Sequence, residues 1–280
     1  MLARDLTSLA LEAGHTVWGS DREVDITDRA QVAAFLQEHP AEWIINCAAY
    51  TAVDKAETDE DLAFAINATG PGNLAQEAAE RKVKLIHVST DYVLNGQPPE
   101  PLREDAALDP QNAYGRTKAK GELRVQAYLP EHWIVRTAWL YGIHGNNFVK
   151  TMLRLMSEKD KLGVVEDQMG SPTWTIDLAN ALLSIVAQGT RPGVYHFSDA
   201  GCISWFDFAK EIQKQGLALG LLTKEIPIAG LASSAYPTPT KRPAWSVLDK
   251  SAIQNAFGVA VPVWQDSLAA YLRLEVKARG

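Results

Sequence analysis

The sequence predicts an α/β protein with a doubly wound parallel sheet and a smaller C-terminal lobe, and three observations predict it. The segments "WIINCAAY", "VKLIHVSTDY" and "HWIVRTAWLYG" are nearly continuous apolar runs, the pattern of strands buried on both faces rather than one. Segments with helical spacing of apolar residues separate them, so strands and helices alternate as in a parallel sheet. Past about residue 146 the alternation loosens, and a proline-rich stretch, "IPIAGLASSAYPTPTKRPAWS", has little periodicity of its own.

Taken in order, Leu2, Leu6, Leu9, Ala10 and Ala13 recur at helical spacing, with Gly14 as the stop. "HTVWGS" reads as a short strand, and Asp25 or Thr27 as the cap of a helix over 28–38 that ends before Pro40. The strand "WIINCAAY" is followed by a helix over 59–80. The strand "VKLIHVSTDY" is followed by a helix over 111–128, and then comes the strand "HWIVRTAWLYG". "KLGVVEDQMGSPT" is a strand and turn, 174–189 a helix and "GVYHFS" a strand. Ser204 caps the helix "SWFDFAKEIQKQG", and two short helices finish the chain. Trp18, Phe35 and Trp43 read as core. The expected division is a dinucleotide-binding unit over 1–145, to which 163–189 returns. The second unit, substrate-binding, is 191–280 with part of 146–162.

Composition narrows the function. The 280 residues are 46% hydrophobic and 22% charged with a net charge of −7, and no Lys/Arg cluster forms the basic footprint that nucleic acid needs. No apolar run approaches the roughly 20 residues of a membrane span. Cys47 and Cys202 lie far apart, which suits a reduced, cytoplasmic protein. No Cys, His or acidic cluster has ligand spacing, so no metal site is expected and dependence on Mg2+ is left open.

In doubly wound folds ligands sit where strands emerge at their carboxyl ends. Here those exits read "AAYTAVDKAE", "TDYVLNG" and "AWLYGIHGNNF". One helix carries "NAYGRTKAK", which puts Tyr114 and Lys118 one turn apart on the same face. An ammonium beside a phenol favours the phenolate and lowers its pKa, which suits proton donation to a developing alkoxide. Thr90, at a strand end, is placed to hydrogen-bond the carbonyl that Tyr114 protonates.

Thr90 followed by Tyr-x-x-x-Lys on the next helix resembles the extended short-chain dehydrogenase/reductase family. The phrases "AAYTAVDKAE", "STDYVLNG", "NAYGRTKAKGE", "RTAWLYG", "DQMGSPT", "GVYHFSDAG" and "SAYPTPTKRPAWSVLD" are similar to its nucleotide-sugar 4-ketoreductases. They run in that branch's order from about residue 43 to 250.

The resemblance implies a Rossmann-like fold and NADPH-dependent reduction, with NADH as the other possible cofactor. The substrate would be a dTDP-linked 4-keto-6-deoxy sugar and the product dTDP-L-rhamnose, for cell-surface polysaccharide. It implies Thr90, Tyr114 and Lys118 as the catalytic set, with Lys118 also on the nicotinamide ribose. Ala48, Ala49 and Tyr50 would line the cofactor channel, and Asp25 and Ile26 would lie near the adenine. Asp91, Tyr92 and Trp139 would face the substrate, and Arg242 would approach its diphosphate. Asn67 would reach the site through water. A homodimer is possible.

In this family a first strand and a glycine-rich turn precede the first helix. Met1-Leu2-Ala3-Arg4 aligns with the end of that turn, so the natural protein is expected to be longer. Two other readings stay open: another nucleotide-sugar reductase or epimerase, and a non-catalytic regulatory subunit resembling the methionine adenosyltransferase β subunit.

Overall fold

The computed structural model describes residues 1–236 and 238–279. Helix α1 (Leu2–Glu12) turns Leu2, Leu6 and Ala10 inward and stops before Gly14, whose φ of +85° suits glycine. Residues 15–20, expected as a strand, form no β ladder. Trp18 in that segment is 44% exposed and stacks on His39 at 5.8 Å, not in the core. Helix α2 (Arg29–Glu38) is capped by Asp28, whose Oδ1 accepts from Ala30 N at 2.9 Å. The expected cap Asp25 instead accepts from Thr27 N at 2.9 Å, making the turn before the helix.

Strand β1 (Trp43–Asn46) follows. The helix expected over 59–80 is three pieces in one run: α3 (Glu60–Phe64), a π-turn over Ala65–Thr69, and α4 (Gly70–Arg81). Then come β2 (Lys84–Thr90), α5 (Ala113–Tyr128) and β3 (His132–Thr137). The strand expected over 132–142 breaks at Trp139, whose φ is +49°, and resumes as β4 (Leu140–Tyr141). The chain continues through α6 (Phe148–Glu158), β5 (Leu162–Val165), β6 (Met169–Gly170), β7 (Thr173–Trp174), α7 (Thr175–Gln188) and β8 (Gly193–His196). It closes with β9 (Ile203–Ser204), α8 (Trp205–Ala218), β10 (Ile228–Leu231), β11 (Trp245–Ser246), α9 (Ser251–Phe257) and α10 (Trp264–Arg279). The last helix has 16 residues, so it is not short.

The main sheet has the order β1-β2-β3-β8, all parallel. One face carries Leu74, Ala75 and Ala78 of α4 with Val125 of α5 over Leu85 and Ile134. The other carries Leu2 and Leu6 of α1, Leu178, Leu182 and Ile185 of α7, and Ile253 and Phe257 of α9 over Ile86 and Val135. Helices on both faces explain why these strands read as unbroken apolar runs. Among the described residues β1 pairs only with β2, so its other edge carries unpaired backbone groups.

The second lobe packs α6, α8 and α10 around Met152, Leu153, Met156, Phe208, Ile212 and Leu268. It holds the pair β10-β5 and the three-stranded sheet β11-β6-β9. The division by sequence is interleaved. Strand β8, beyond the boundary expected at 191, belongs to the main sheet, and so does the packing of α9. Strand β5, within the segment expected to return to the main unit, pairs with β10 of the smaller lobe.

Candidate active site

The carboxyl ends of β1, β2 and β3 lie side by side, with Thr90 opposite Thr137 in the β2–β3 register. Thr90 ends β2 and accepts from Tyr92 N at 3.3 Å, starting the short 3-10 turn of Asp91–Val93. Its hydroxyl also donates to Asp91 Oδ1 at 2.9 Å. Tyr114 lies in the first turn of α5, hydrogen-bonds Thr90 and is buried. The ring of Tyr92 meets that of Tyr114 edge-on at 5.4 Å. Lys118, one turn further on, is 1% exposed and donates to Val88 O at 2.7 Å. The structure therefore brings the predicted set Thr90, Tyr114 and Lys118 to one corner.

Two glycines allow that corner. A Cβ on Gly115 would run into the carbonyl oxygen of Tyr92, and a Cβ on Gly121 into that of Asn67. Helix α5 thus lies backbone-close against both the Thr90 turn and the π-turn. Asn112 caps it, accepting from Gly115 N at 2.8 Å and donating to Lys241 O at 2.9 Å. π-Turns recur at functional sites, and Asn67 shows why here. It accepts from Tyr50 N at 2.8 Å, donates to Tyr50 O at 3.2 Å and donates to Thr117 Oγ1 at 3.1 Å. It ties the β1 exit to α5 directly, where a water bridge was expected.

The electrostatics differ from the expectation in one respect. Burial raises the Tyr114 phenol above its usual range, opposed by the Thr90 hydroxyl and reinforced by the Asp91 carboxylate. Lys118 does not depress it, because that ammonium turns toward the Val88 carbonyl. Burial also lowers Lys118 to about 8, against the opposing charges of Glu122 and Cys47. Asp91 is raised to about 6 by burial, offset in part by the hydroxyls of Ser246 and Thr90 and by the backbone amides of Asp91 and Tyr92. Its Oδ2 is buried without a hydrogen-bond partner among the described residues. Beneath the corner, Arg136 of β3 forms a buried fork on Glu122 of α5, with bonds of 2.8 to 3.2 Å. His196 lies 3.3 Å from the same guanidinium and is kept neutral by burial and by that charge.

Other predicted residues fall into place unevenly. Ala48 and Ala49 lie at the open exit of β1, and Tyr50 donates its hydroxyl to Asp59 at 3.0 Å. Asp25 is exposed. Ile26 packs over Gly70, and its carbonyl accepts from Asn73. Arg242 pairs with Asp54 at 3.2 Å, while Arg242 Nε and Asp54 Oδ1 have no hydrogen-bond partner among the described residues.

Trp139 lies two residues past the register partner of Thr90. Its left-handed backbone is an outlier for an aromatic residue, costing of order 1–3 kcal/mol, and Thr173 grips it on both sides. Thr173 N donates to Trp139 O at 3.2 Å and Thr173 Oγ1 to Ala138 O at 2.6 Å. The indole stacks on Trp205 with centroids 3.6 Å apart and planes 13° apart. Gly115, Gly121, Thr173, Trp205 and Ser246 lie inside phrases quoted above, yet nothing in the sequence assigned any of them a role at the site. Only the two glycines inside a helical run signalled a close approach.

The model of the RmlD substrate binding domain family matches residues 1–276. A dTDP-4-dehydrorhamnose reductase of Aggregatibacter actinomycetemcomitans is 39% identical over 274 residues, covering 95% of this chain and 93% of that protein. The crystal structure of a dTDP-4-dehydrorhamnose reductase from Clostridium acetobutylicum superposes with a TM-score of 0.92 at 41% identity, covering 98% of this chain and 95% of that one. That of the Bacillus anthracis reductase, in complex with NADP, gives 0.91 at 36% identity with the same coverage.

Proposed function

The chain belongs to the RmlD substrate binding domain family, and on that premise we propose that it reduces the C4 ketone of dTDP-4-dehydro-L-rhamnose with NADPH to give dTDP-L-rhamnose. The observation that carries this reading is the buried Thr90–Tyr114 hydroxyl pair beside Lys118 at the sheet's carboxyl edge.

The residues present fit the nicotinamide end of the cofactor. Lys118 has three N–H donors and one acceptor among the described residues, Val88 O, which leaves donors for ribose hydroxyls. Ala48 and Ala49 leave room for a flat ring to approach the backbone. The cofactor, when bound, supplies hydride; the chain supplies orientation and the proton.

Thr90 orients the ketone by turning its one hydroxyl proton from Asp91 Oδ1 to the ketone oxygen. As the carbonyl π bond opens and that oxygen gains charge, Tyr114 gives up its O–H proton to it. Burial keeps the phenol protonated at neutral pH, so the proton is in place before reaction. Lys118, with a pKa of about 8, remains charged there and keeps its free donors for the cofactor's ribose. Asp91, Tyr92 and Trp139 form the sugar-facing wall, and Arg242 exchanges Asp54 for the substrate's diphosphate, which suits a guanidinium.

The test is direct. Purified protein is incubated with NADPH and dTDP-4-dehydro-L-rhamnose, and the sugar product is identified by NMR alongside NADPH oxidation. Stoichiometric dTDP-L-rhamnose supports the reading. Epimerised sugar nucleotide with no net NADPH oxidation would sink it.

A further inference from the structure

The short sheet β11-β6-β9 belongs to the smaller lobe, yet each of its strands serves the site. Gly170 of β6 lies against the Trp139 indole; a Cβ there would sit 2.7 Å from ring atom Cε2. Ser204 of β9 pairs with Met169 and caps α8 through a reciprocal box with Asp207, bonded at 3.0 and 3.2 Å. That cap fixes the next residue, Trp205, whose ring covers Trp139 at 3.6 Å. Phe148 of α6 backs Trp205 at 4.6 Å. Trp139 also keeps a left-handed backbone that an aromatic residue adopts only when its surroundings over-determine it. A half-buried indole in a strained conformation, stacked almost parallel on a ring from the other lobe, is more than core packing requires.

We propose that Trp205 is a positioning residue, holding Trp139 as an aromatic wall for the apolar face of a 6-deoxy sugar, so that the sugar end of the site is complete only with the smaller lobe docked. The inference rests on the assignment of Trp139 to the sugar-facing wall. Trp205 acts through Trp139, and Gly170 gives the indole its seat.

The experiment compares Trp205→Leu, Trp205→Phe and Trp139→Leu with the unaltered protein. Three quantities are read: the part of the far-ultraviolet exciton couplet due to Trp139 and Trp205, isolated in a Trp43→Phe background that lacks the Trp43–Trp133 pair at 4.9 Å, KM and kcat for the sugar nucleotide, and the inhibition constant of dTDP, which lacks the sugar. For Trp205→Leu the couplet disappears and KM rises by about 10-fold or more, the scale of one lost pocket contact. The dTDP constant holds and kcat falls less than KM rises. Trp205→Phe, which keeps a flat ring, recovers most of KM without the couplet. An unchanged KM in Trp205→Leu with the couplet gone overturns the proposal. So does equal weakening toward dTDP and the full substrate, which would make Trp205 a general packing residue. If Trp139→Leu leaves KM alone, the wall assignment itself falls and takes the proposal with it. If Trp139→Leu raises KM and Trp205→Leu does not, only the positioning role falls.

Discussion

The two ends of the site are built by different means. The proposed reducing corner rests on two consecutive elements of the chain, the β2 exit and helix α5, locked by Gly115 against the Tyr92 carbonyl. The proposed sugar end adds to Asp91 and Tyr92 residues scattered from Trp139 to Ser246, gathered by three two-residue strands of another lobe. The first is continuous with the main core and is buried. The second is half-buried and carries a strained residue whose geometry depends on a ring 66 positions away in the chain. A chemical step needs a fixed proton donor, and local packing supplies one. Substrate selection needs a surface that closes over the ligand, and a second lobe supplies that.

Breaking each end separately sharpens the contrast. Tyr114→Phe removes the proton and leaves the packing, so kcat falls by about 10²–10⁴-fold with an unchanged circular dichroism spectrum; a kcat within a few-fold of normal would falsify the general-acid role. Arg136→Met leaves Glu122 charged and unpaired beneath the same corner, at a cost of about 3–5 kcal/mol in urea unfolding. The Arg136→Met/Glu122→Leu double variant recovers most of it, and a single variant as stable as the parent would mean the pair bears no strain.

Lys118 gives a pH signature. Its folded pKa of about 8 lies below its ordinary 10.5, so between these values the unfolded chain binds the proton that the folded one has shed. Stability therefore rises with pH across that window, by at most about 3 kcal/mol, and the full cost of the buried charge is carried below it. Lys118→Met loses turnover but removes that rise, which unfolding curves at pH values on either side of the window would show. A parallel pair of curves would contradict the burial argument.

The smallest effects separate the two ends most cleanly. Gly115→Ala and Gly170→Ala each force a methyl into an occupied space, at about 1–3 kcal/mol. The first pushes on the Tyr92 carbonyl next to Thr90 and lowers kcat, whereas the second pushes on the Trp139 indole and raises KM. Identical kinetic profiles for the two variants would mean that the ends are not independent.

Much was legible in the sequence because its cause is local. Apolar runs follow from burial on both faces, and the Tyr114–Lys118 spacing places both on one helical face. Thr90 follows from its place at a strand end, and the family from the order of its phrases. Where the sequence misled, a partner elsewhere in the chain decided the outcome. "HTVWGS" has strand composition, but a strand exists only with a neighbour to complete its ladder, and none pairs with it among the described residues. Tyr114 and Lys118 are neighbours on α5, yet their pKa values answer mainly to burial, which depends on everything packed around them. Asn67, Trp205 and Ser246 bear on the site through contacts 17 to 155 positions distant, such as Asn67 with Tyr50 and Ser246 with Asp91. The sequence by itself determined the periodicities and the Tyr114–Lys118 spacing on one helical face. Only the tertiary structure decided the electrostatics and the stack of Trp139 on Trp205, because both arise from groups that folding alone brings together.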